Sequence, residues 1–290
     1  MEKATVALNA GIDMPVLGIG TYMLSPAQAE ESVYTALTSG CRLVDTANAY
    51  MNERAVGRGV KRSGVPREEV FVSTKLWPSE YEDAGRGIDA TLARLDLEYV
   101  DLLFLHQAFG EYIAAYRAME AAVEAGKARA IGLSNFYEDK FDEVVGIATI
   151  TPAVLQNERN PYVQQAAMRA HIEPYGTLLM DWFPLGGRSP RQQSLFADGT
   201  ITEIAAAHRA SPAQVILRWH LQSGSVTMPG SSNPDHIVEN ITISGLELTD
   251  AEMGQLDALD ADELSFDFRN MDGGAGFGSF DAPMDFDAQE

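Results

Sequence analysis

The 290-residue chain has little cysteine, little positive charge and no long apolar run. Cys41 is the only cysteine, so no disulfide can form within the chain, and we expect a reducing, cytoplasmic setting. No stretch of about 18 apolar residues is present, which argues against a membrane-spanning helix. The first residues also lack the apolar segment of a secretion signal.

Negative charge dominates the composition. Basic residues number 21 against 42 acidic ones, which gives a formal net charge of −21. Such a surface repels phosphate groups, so we expect neither nucleic acid nor an anionic membrane as a partner. We expect a monomer that acts on a small molecule, without a bound metal.

Eight short apolar runs, each bounded by turn residues, alternate with longer amphipathic stretches. The runs are VLGIG (16–20), CRLVDTA (41–47), VFVSTKL (70–76), VDLLFLH (100–106), ARAIGLSN (128–135), AVLQNE (153–158), TLLMDWF (177–183) and VTMPG (226–230). Runs of this kind are typical of strands buried on both faces, and alternation with helices indicates parallel pairing. Eight units in one chain predict an α/β fold, the (β/α)₈ TIM barrel. A doubly wound open sheet is the alternative, but no G-x-G-x-x-G motif follows the first strand.

We place the barrel domain, including an N-terminal hairpin, at residues 1–260 and a C-terminal tail at 261–290. The turn-like Asn-Ala-Gly at 9–11 lies between two short runs and predicts an N-terminal β-hairpin over the barrel bottom. Residues 261–290 form an acidic tail with five phenylalanines from position 266 onward, more aromatic than a disordered segment should be. We expect this tail to pack partly over the barrel mouth.

Polar residues at the ends of neighbouring strands suggest a catalytic site. Asp45, Lys75 and His106 end three consecutive strands, and Tyr50 follows Asp45 by one short loop. Each has an ordinary structural explanation when taken alone. Together they are more informative, because a lysine inside an apolar strand needs a partner and Asp45 can supply it. A buried ammonium near a phenol is expected to lower the pKa of Tyr50, which would suit a general acid.

At this point the chain resembles a known family. The stretches LVDTANAYMNERAVG, VSTKLW, LFLHQ, AIGLSNF and LQNERNPY are similar, in order, to the signature stretches of the aldo-keto reductases, and the resemblance extends from about residue 4 to residue 260. Within that family, the chain resembles the bacterial NADPH-dependent enzymes of the 2,5-diketo-gluconate reductase branch. The resemblance implies reduction of an aldehyde or ketone by a nicotinamide cofactor, with Asp45, Tyr50, Lys75 and His106 as the catalytic tetrad and Tyr50 as the proton donor.

The resemblance also implies which residues contact the cofactor. Some of the matching residues hydrogen-bond the nicotinamide carboxamide in that family, and one aromatic residue stacks on the nicotinamide ring. Others wrap the pyrophosphate or contact the adenine. The matching residues are Gly20, Thr21, Tyr22, Asp45, Ser134, Asn135, Gln156, Trp182, Phe183, Pro184, Leu185, Gly186, Gly230, Ser231, Ser232, His236, Glu239 and Asn240.

The strand-eight loop departs from the family pattern. Gly230 and His236 stand where a lysine and an arginine usually hold the 2′-phosphate of NADPH, so two contacts worth about 1.5–3 kcal/mol each are missing. We therefore expect NADP(H) as the cofactor, bound more weakly than usual, with NAD(H) tolerated.

The substrate side departs as well. Gln107 stands where a tryptophan is common, in a short loop, and Tyr22, Trp77 and Phe109 are the expected aromatic walls. The substrate class is a small aldehyde, ketose or dicarbonyl. Two alternatives stay open: the same enzyme working mainly as an alcohol or sugar dehydrogenase, and a non-catalytic nicotinamide-binding redox sensor. The complete tetrad argues against the sensor.

Overall fold

Eight parallel strands form a barrel in the computed structural model, which describes residues 5–187, 190–243, 245–270 and 284–289. Each strand pairs with the next one along the chain, as expected of sequential β-α units. The barrel strands are β3 (Ile19–Gly20), β4 (Leu43–Asp45), β5 (Phe71–Leu76), β6 (Val100–Leu105), β7 (Ala128–Ser134), β8 (Val154–Glu158), β9 (Leu178–Trp182) and β10 (Val226–Thr227). The predicted (β/α)₈ architecture is confirmed.

The barrel closes where the first and last of these strands meet. Leu17 and Thr227 form a parallel bridge. Backbone hydrogen bonds extend the contact: Gly18 N donates to Thr227 O at 3.0 Å, and Thr227 N donates to Val16 O at 3.0 Å. Closure removes the unpaired edges that an open sheet would present.

Helices connect the strands and cover their outer faces. They are α1 (Pro26–Thr38), α2 (Glu53–Arg62), α3 (Ala84–Leu95), α4 (Tyr112–Glu124), α5 (Glu138–Val145), α6 (Ala166–Ile172), α7 (Pro190–Ala197), α8 (Gly199–His208), α9 (Pro212–Gln222), α10 (Pro234–Ile241) and α11 (Asp250–Asp257). None of the helices within the described ranges combines the length and the apolar run needed to cross a bilayer.

The Ser-Pro starts and Gly stops of the sequence mark real helix ends. Ser25 and Ser211 cap α1 and α9, each in a capping box with a glutamine three residues on. Gly40 and Gly224 follow the two helices with φ of 101° and 79°, a conformation that side chains disfavour. Local chemistry therefore sets both boundaries.

The hairpin predicted at the N-terminal side is present as β1 (Thr5–Ala7) and β2 (Asp13–Pro15), which pair antiparallel. Leu8 and Met14 from this hairpin are buried against the barrel interior, at the end where the strands begin. The strand residues in that layer are Leu43, Phe71, Leu102, Phe104, Ala130, Val154, Met180 and Val226. The hairpin thus covers the amino end of the barrel, which leaves the carboxyl end for the site.

Candidate active site

Three of the four predicted catalytic side chains face into the barrel because side chains alternate along a strand. Leu43 in β4 lies in the barrel interior, so Asp45, two residues on, faces the same way. The same period of two places Lys75 above Phe71 in β5, and His106 follows β6 directly. Because these strands are parallel neighbours, the three side chains meet at the carboxyl end of the barrel.

Lys75 and Asp45 form a buried ion pair. Lys75 Nζ donates to Asp45 Oδ2 at 2.6 Å and to Thr46 O at 2.8 Å, and Lys75 is 1% exposed. Burying both charges costs hydration, so the further hydrogen bonds are needed to offset it. One of them comes from Ser73, whose Oγ donates to Asp45 Oδ1 at 2.7 Å. The sequence pattern did not single out Ser73, although its place two residues before Lys75 puts it on the same face of β5.

Tyr50 comes from a short 3₁₀-helix, Asn48–Tyr50, that follows β4. Its ring centroid lies 5.0 Å from Lys75 Nζ, and the rings of Tyr22 and His106 lie 4.9 and 5.7 Å away, centroid to centroid. The structure therefore brings the four predicted catalytic residues together, although they come from three separate β-α units.

Burial sets the protonation states of this cluster. It raises the pKa of Tyr50 well above its ordinary value, and the Asp45 carboxylate adds to the rise. It lowers the pKa of His106 well below its ordinary value, with a further contribution from the Lys75 ammonium. It also lowers the pKa of Lys75, while Asp45 opposes the change. The expected lowering of the Tyr50 pKa is therefore corrected: lost hydration and the Asp45 carboxylate raise it, which favours the neutral phenol.

A cleft of about 390 Å³ opens at the carboxyl end of the barrel. Asp45, Tyr50 and His106 line it, whereas Lys75 is buried against Asp45. Other predicted cofactor residues on the described lining are Gly20, Tyr22, Ser134, Asn135, Gln156, Trp182, Phe183, Pro184, Leu185 and Gly230. Three tetrad residues and most of the residues predicted to contact the cofactor thus line the same cleft.

Hydrogen bonds link that cofactor side to the catalytic groups. Asn135 has φ of 60°, and its Nδ2 donates to His106 O at 3.0 Å. Trp182 Nε1 donates to Asn135 Oδ1 at 3.0 Å, which holds the indole at the edge of the cleft. Gln156 Nε2 lies 3.3 Å from Asp45 Oδ1, to which it donates. The side-chain amides of Asn135, which follows β7, and of Gln156 in β8 are therefore oriented by hydrogen bonds to His106 and Asp45.

Some predicted cofactor residues lie away from the described lining. Thr21 is fully buried, and its Oγ1 donates to Asp45 O at 3.1 Å, so it supports the end of β4. Gly186 N donates to Phe183 O at 2.9 Å in the turn after β9. The remaining predicted contacts lie just before or within α10, outside the described lining; they are Ser231, Ser232, His236, Glu239 and Asn240.

The substrate side of the cleft carries three of its four predicted residues. Tyr22, Trp77 and Gln107 line it, and the Trp77 ring meets the His106 ring edge-on at 4.9 Å. Phe109 is instead 9% exposed and is not among the described lining residues. His106 Nδ1 and Gln107 Oε1 are buried and have no hydrogen-bond partner in the described part of the chain. Such atoms cost about 1–3 kcal/mol each when they stay unsatisfied.

The beginning of the predicted tail reaches the mouth of the cleft. The rings of Phe266 and Phe268 lie 6.4 and 6.3 Å from that of Trp182, and both residues line the cleft together with Met284. The tail at 271–283 and residue 290 lie outside the described residues.

A buried polar network behind the cleft was not predicted from the sequence. Asp181 Oδ2 accepts from Ser225 Oγ at 2.6 Å and from Arg159 Nη1 at 3.3 Å, and it lies 2.6 Å from His220 Nδ1. His220 Nε2 lies 3.2 Å from Pro184 O. The only sequence signal is the polarity of residues inside apolar runs. The network connects β9 to the loop after it.

Comparison with known proteins matches this geometry to a family. The model of the aldo/keto reductase family matches residues 16–261. The chain belongs to the aldo/keto reductase family. It is 42% identical to morphine 6-dehydrogenase of Pseudomonas putida over 273 residues, 89% of this chain and 92% of that protein. It is 40% identical to glyoxal reductase of Bacillus subtilis over 265 residues, 90% of this chain and 94% of that protein.

Solved structures of the family agree. MGS-M4, an aldo-keto reductase from a Medee basin deep-sea metagenome library, superimposes with a TM-score of 0.89 at 32% identity and covers 93% of this chain and 100% of that one. As an aldo-keto reductase, this chain is an oxidoreductase that reduces small carbonyl compounds with NAD(P)H.

Proposed function

We propose that this aldo-keto reductase reduces a small aldehyde, ketose or dicarbonyl to the alcohol with Tyr50 as the general acid. The observation that carries the proposal is the meeting of Tyr50 and His106 with the buried Lys75–Asp45 pair in one cleft. When bound, the reduced nicotinamide supplies the hydride. The protein supplies position and the proton.

The proton comes from the neutral phenol of Tyr50. As the phenol gives up its proton to the carbonyl oxygen, negative charge develops on Tyr50, and the Lys75 ammonium 5.0 Å from the ring centroid stabilises it. Asp45 and Thr46 O hold that ammonium in place. His106 is a neutral imidazole, so it can donate one N–H to the carbonyl oxygen and orient it without competing as an acid.

Substitution of Tyr50 by phenylalanine tests this role. We expect Tyr50→Phe to lower kcat for carbonyl reduction about 10²–10⁴-fold, because the proton donor is gone, while the cofactor still binds. Tyr175→Phe, at an exposed tyrosine that does not line the cleft, is the matched control. Undiminished reduction by Tyr50→Phe would contradict the proposed mechanism. Cofactor binding without reduction of any aldehyde by the unaltered enzyme would favour a sensor.

For the cofactor, we propose NADPH with substantial use of NADH. Ser134, Asn135 and Gln156 would hold the carboxamide, and Trp182 would stack on the ring. The 183–186 loop would hold the pyrophosphate, with Gly20, Thr21 and Tyr22 beside it. On the phosphate side, Gly230 adds no charge and His236 is exposed in the first turn of α10. Steady-state kinetics with each cofactor test this: a preference for NADPH above about a thousandfold would contradict relaxed choice.

The same groups can run the reaction backwards. In alcohol oxidation, Tyr50 would accept the proton that it donates in reduction. The relative from Pseudomonas putida is named a dehydrogenase and the one from Bacillus subtilis a reductase, so both directions deserve assay. A panel of small aldehydes, ketoses, dicarbonyls and their alcohols, followed by absorbance of the reduced cofactor, identifies the preferred direction and substrate.

We also propose a monomer that works in the cytoplasm. The cytoplasmic setting is supported by the single cysteine: it is buried, and that burial raises the pKa of its thiol to about 11, so it is suited neither to a disulfide nor to redox chemistry. Light scattering after size-exclusion chromatography tests the oligomeric state: a mass near 31.5 kDa is expected, and a multiple of it would contradict the proposal.

A further inference from the structure

Residues 284–289, which we call the terminal clasp, dock beside the loop that carries Tyr50. Gln289 is 7% exposed, and its side-chain amide bridges two backbone groups. Its Oε1 accepts from Glu53 N at 2.8 Å, and its Nε2 donates to Asn48 O at 3.3 Å. These two backbone groups lie on either side of Tyr50, five residues apart along the chain.

The bridge fills a gap at the start of α2. The first N–H groups of a helix need partners, usually from the N-cap side chain. The N-cap of α2 is Asn52, but its side chain makes no cap hydrogen bond. Its Nδ2 instead donates to Thr21 O and Leu24 O at 3.0 and 3.1 Å. Gln289, 236 residues away in sequence, takes over the N–H of Glu53.

Other contacts hold the clasp in place. Phe286 is 6% exposed, and its ring centroid lies 5.7 Å from the guanidinium carbon of Arg94. Arg94 Nη1 lies 3.5 Å from Asp287 Oδ1, and Arg94 Nε donates to buried Glu53 Oε2 at 2.7 Å. Glu53 also accepts from the hydroxyl of Thr74, the neighbour of Lys75, at 2.8 Å. The clasp is therefore tied both to the Tyr50 loop and to the strand that bears the catalytic lysine.

We propose that Gln289 is a positioning residue for the general acid. The Tyr50 loop is a single turn of 3₁₀-helix between β4 and α2, and the glutamine fixes the carbonyl at its start and the first N–H of the helix that follows it. Tyr50 must keep its hydroxyl within hydrogen-bond reach of a carbonyl oxygen, and a displacement of about 1 Å can cost up to about a hundredfold in rate. This inference rests on the proposed role of Tyr50.

Gln289→Leu tests the proposal, because leucine keeps most of the volume and removes both hydrogen bonds. We expect kcat to fall about tenfold, the primary isotope effect with 4-deuterated NADPH to rise, and the dissociation constant of NADPH to stay within about twofold. Gln289→Glu keeps an acceptor for Glu53 N and loses the donor to Asn48 O, so we expect an intermediate loss. This second variant also serves if the leucine variant does not fold.

Gln222→Leu is the matched control. Gln222 also bridges backbone groups, donating to Leu248 O at 2.9 Å and accepting from Leu248 N at 2.7 Å, but it does not line the cleft. It should lower Tm and leave kcat unchanged. Equal kcat losses in the two leucine variants would overturn the proposal, because a loss of general stability would then explain both.

The Tyr50→Phe background separates this inference from the proposed function. If Gln289 acts through Tyr50, Gln289→Leu should lower the residual rate of Tyr50→Phe by less than about twofold. A tenfold loss in that background would overturn positioning through Tyr50 while leaving the proposed function intact. Wild-type activity in Tyr50→Phe itself would overturn the proposed function instead.

Discussion

At the residue scale, the site depends on keeping two groups neutral next to one charged pair. Tyr50 and His106 lie in a cleft where burial opposes ionisation of both, while Lys75 and Asp45 form a buried ion pair beside them. A neutral phenol can give a proton, and a neutral imidazole can donate a hydrogen bond. The pH dependence of the reaction should therefore reflect the pKa of Tyr50 and the pKa of His106.

We predict a flat pH profile for carbonyl reduction. The raised pKa of Tyr50 moves loss of the acid form well above pH 10, and the lowered pKa of His106 keeps the imidazole neutral down through about pH 6.5. The kcat/KM for reduction should therefore change less than about threefold between pH 6.5 and 9. Steady-state rates in constant-ionic-strength buffers measure it, and a fall with an apparent pKa of about 7 to 8 would contradict a neutral Tyr50 and a neutral His106.

Cofactor choice offers a second prediction at this scale. His236→Arg places a permanent cation in the exposed first turn of α10, so we expect the ratio of kcat/KM with NADPH to that with NADH to rise about tenfold or more. Gly230→Lys should act in the same direction but less cleanly. Its new Cβ would lie 3.1 Å from Gly20 O, so the backbone must shift slightly. His171→Arg is the control, because His171 is distant from His236 in the sequence and is not among the described residues that line the cleft.

The sequence could predict the tetrad but not its ionisation. Asp45, Lys75 and His106 end consecutive apolar runs, and strand periodicity sends them to one edge, so their meeting follows from a local pattern. The direction in which the pKa of Tyr50 shifts does not follow from a local pattern, because it depends on how much water the folded cleft excludes. Ser73 is an intermediate case. Its position in β5 can be predicted from the sequence, but its hydrogen bond to Asp45 depends on the register between β4 and β5.

At the element scale, short strands and capped helices follow from local sequence, whereas links between distant elements do not. The Ser-Pro starts of α1 and α9 are visible in the sequence because a cap is made by neighbours. The cap of α2 is not, since Gln289 supplies it from the far end of the chain. The anchoring of the loop after β9 by His220 is hidden in the same way, because α9 must first pack against β9.

That anchoring yields an element-scale prediction. His220→Phe keeps an aromatic ring but removes the imidazole contacts to Asp181, Arg159 and Pro184 O, so the loop that lines the cleft loses the hydrogen bond at Pro184. We expect the dissociation constant of NADPH, measured by fluorescence titration, to rise about tenfold with kcat changed less. Ser225→Ala removes the hydrogen bonds of the serine hydroxyl to Asp181, Arg159 and His220 O, none of which belongs to the loop, so it should lower Tm but leave the dissociation constant unchanged. Equal effects of both variants on cofactor binding would contradict a role for His220 in the loop.

At the scale of the whole molecule, the net charge of −21 opposes compact folding. Carboxylates on a folded surface are closer together than in the unfolded chain, so their repulsion destabilises the folded state. Salt shortens the range of that repulsion, from about 30 Å at 0.01 M to less than 10 Å at 0.5 M. The same salt also weakens the exposed ion pairs of the surface, but such pairs contribute little each.

The loss of repulsion should therefore be the larger effect, and Tm should rise by roughly 2–4 °C between 0.01 and 0.5 M NaCl, which corresponds to about 1–2 kcal/mol for a chain of this size. Glu98, Glu203 and Glu247 are exposed, and replacing all three with lysine brings the net charge to −15. This variant should have the higher Tm at low salt and the smaller gain on adding salt, both read by differential scanning calorimetry. An equal gain in the two proteins would mean that salt acts on burial of apolar surface and not on the excess of negative charge.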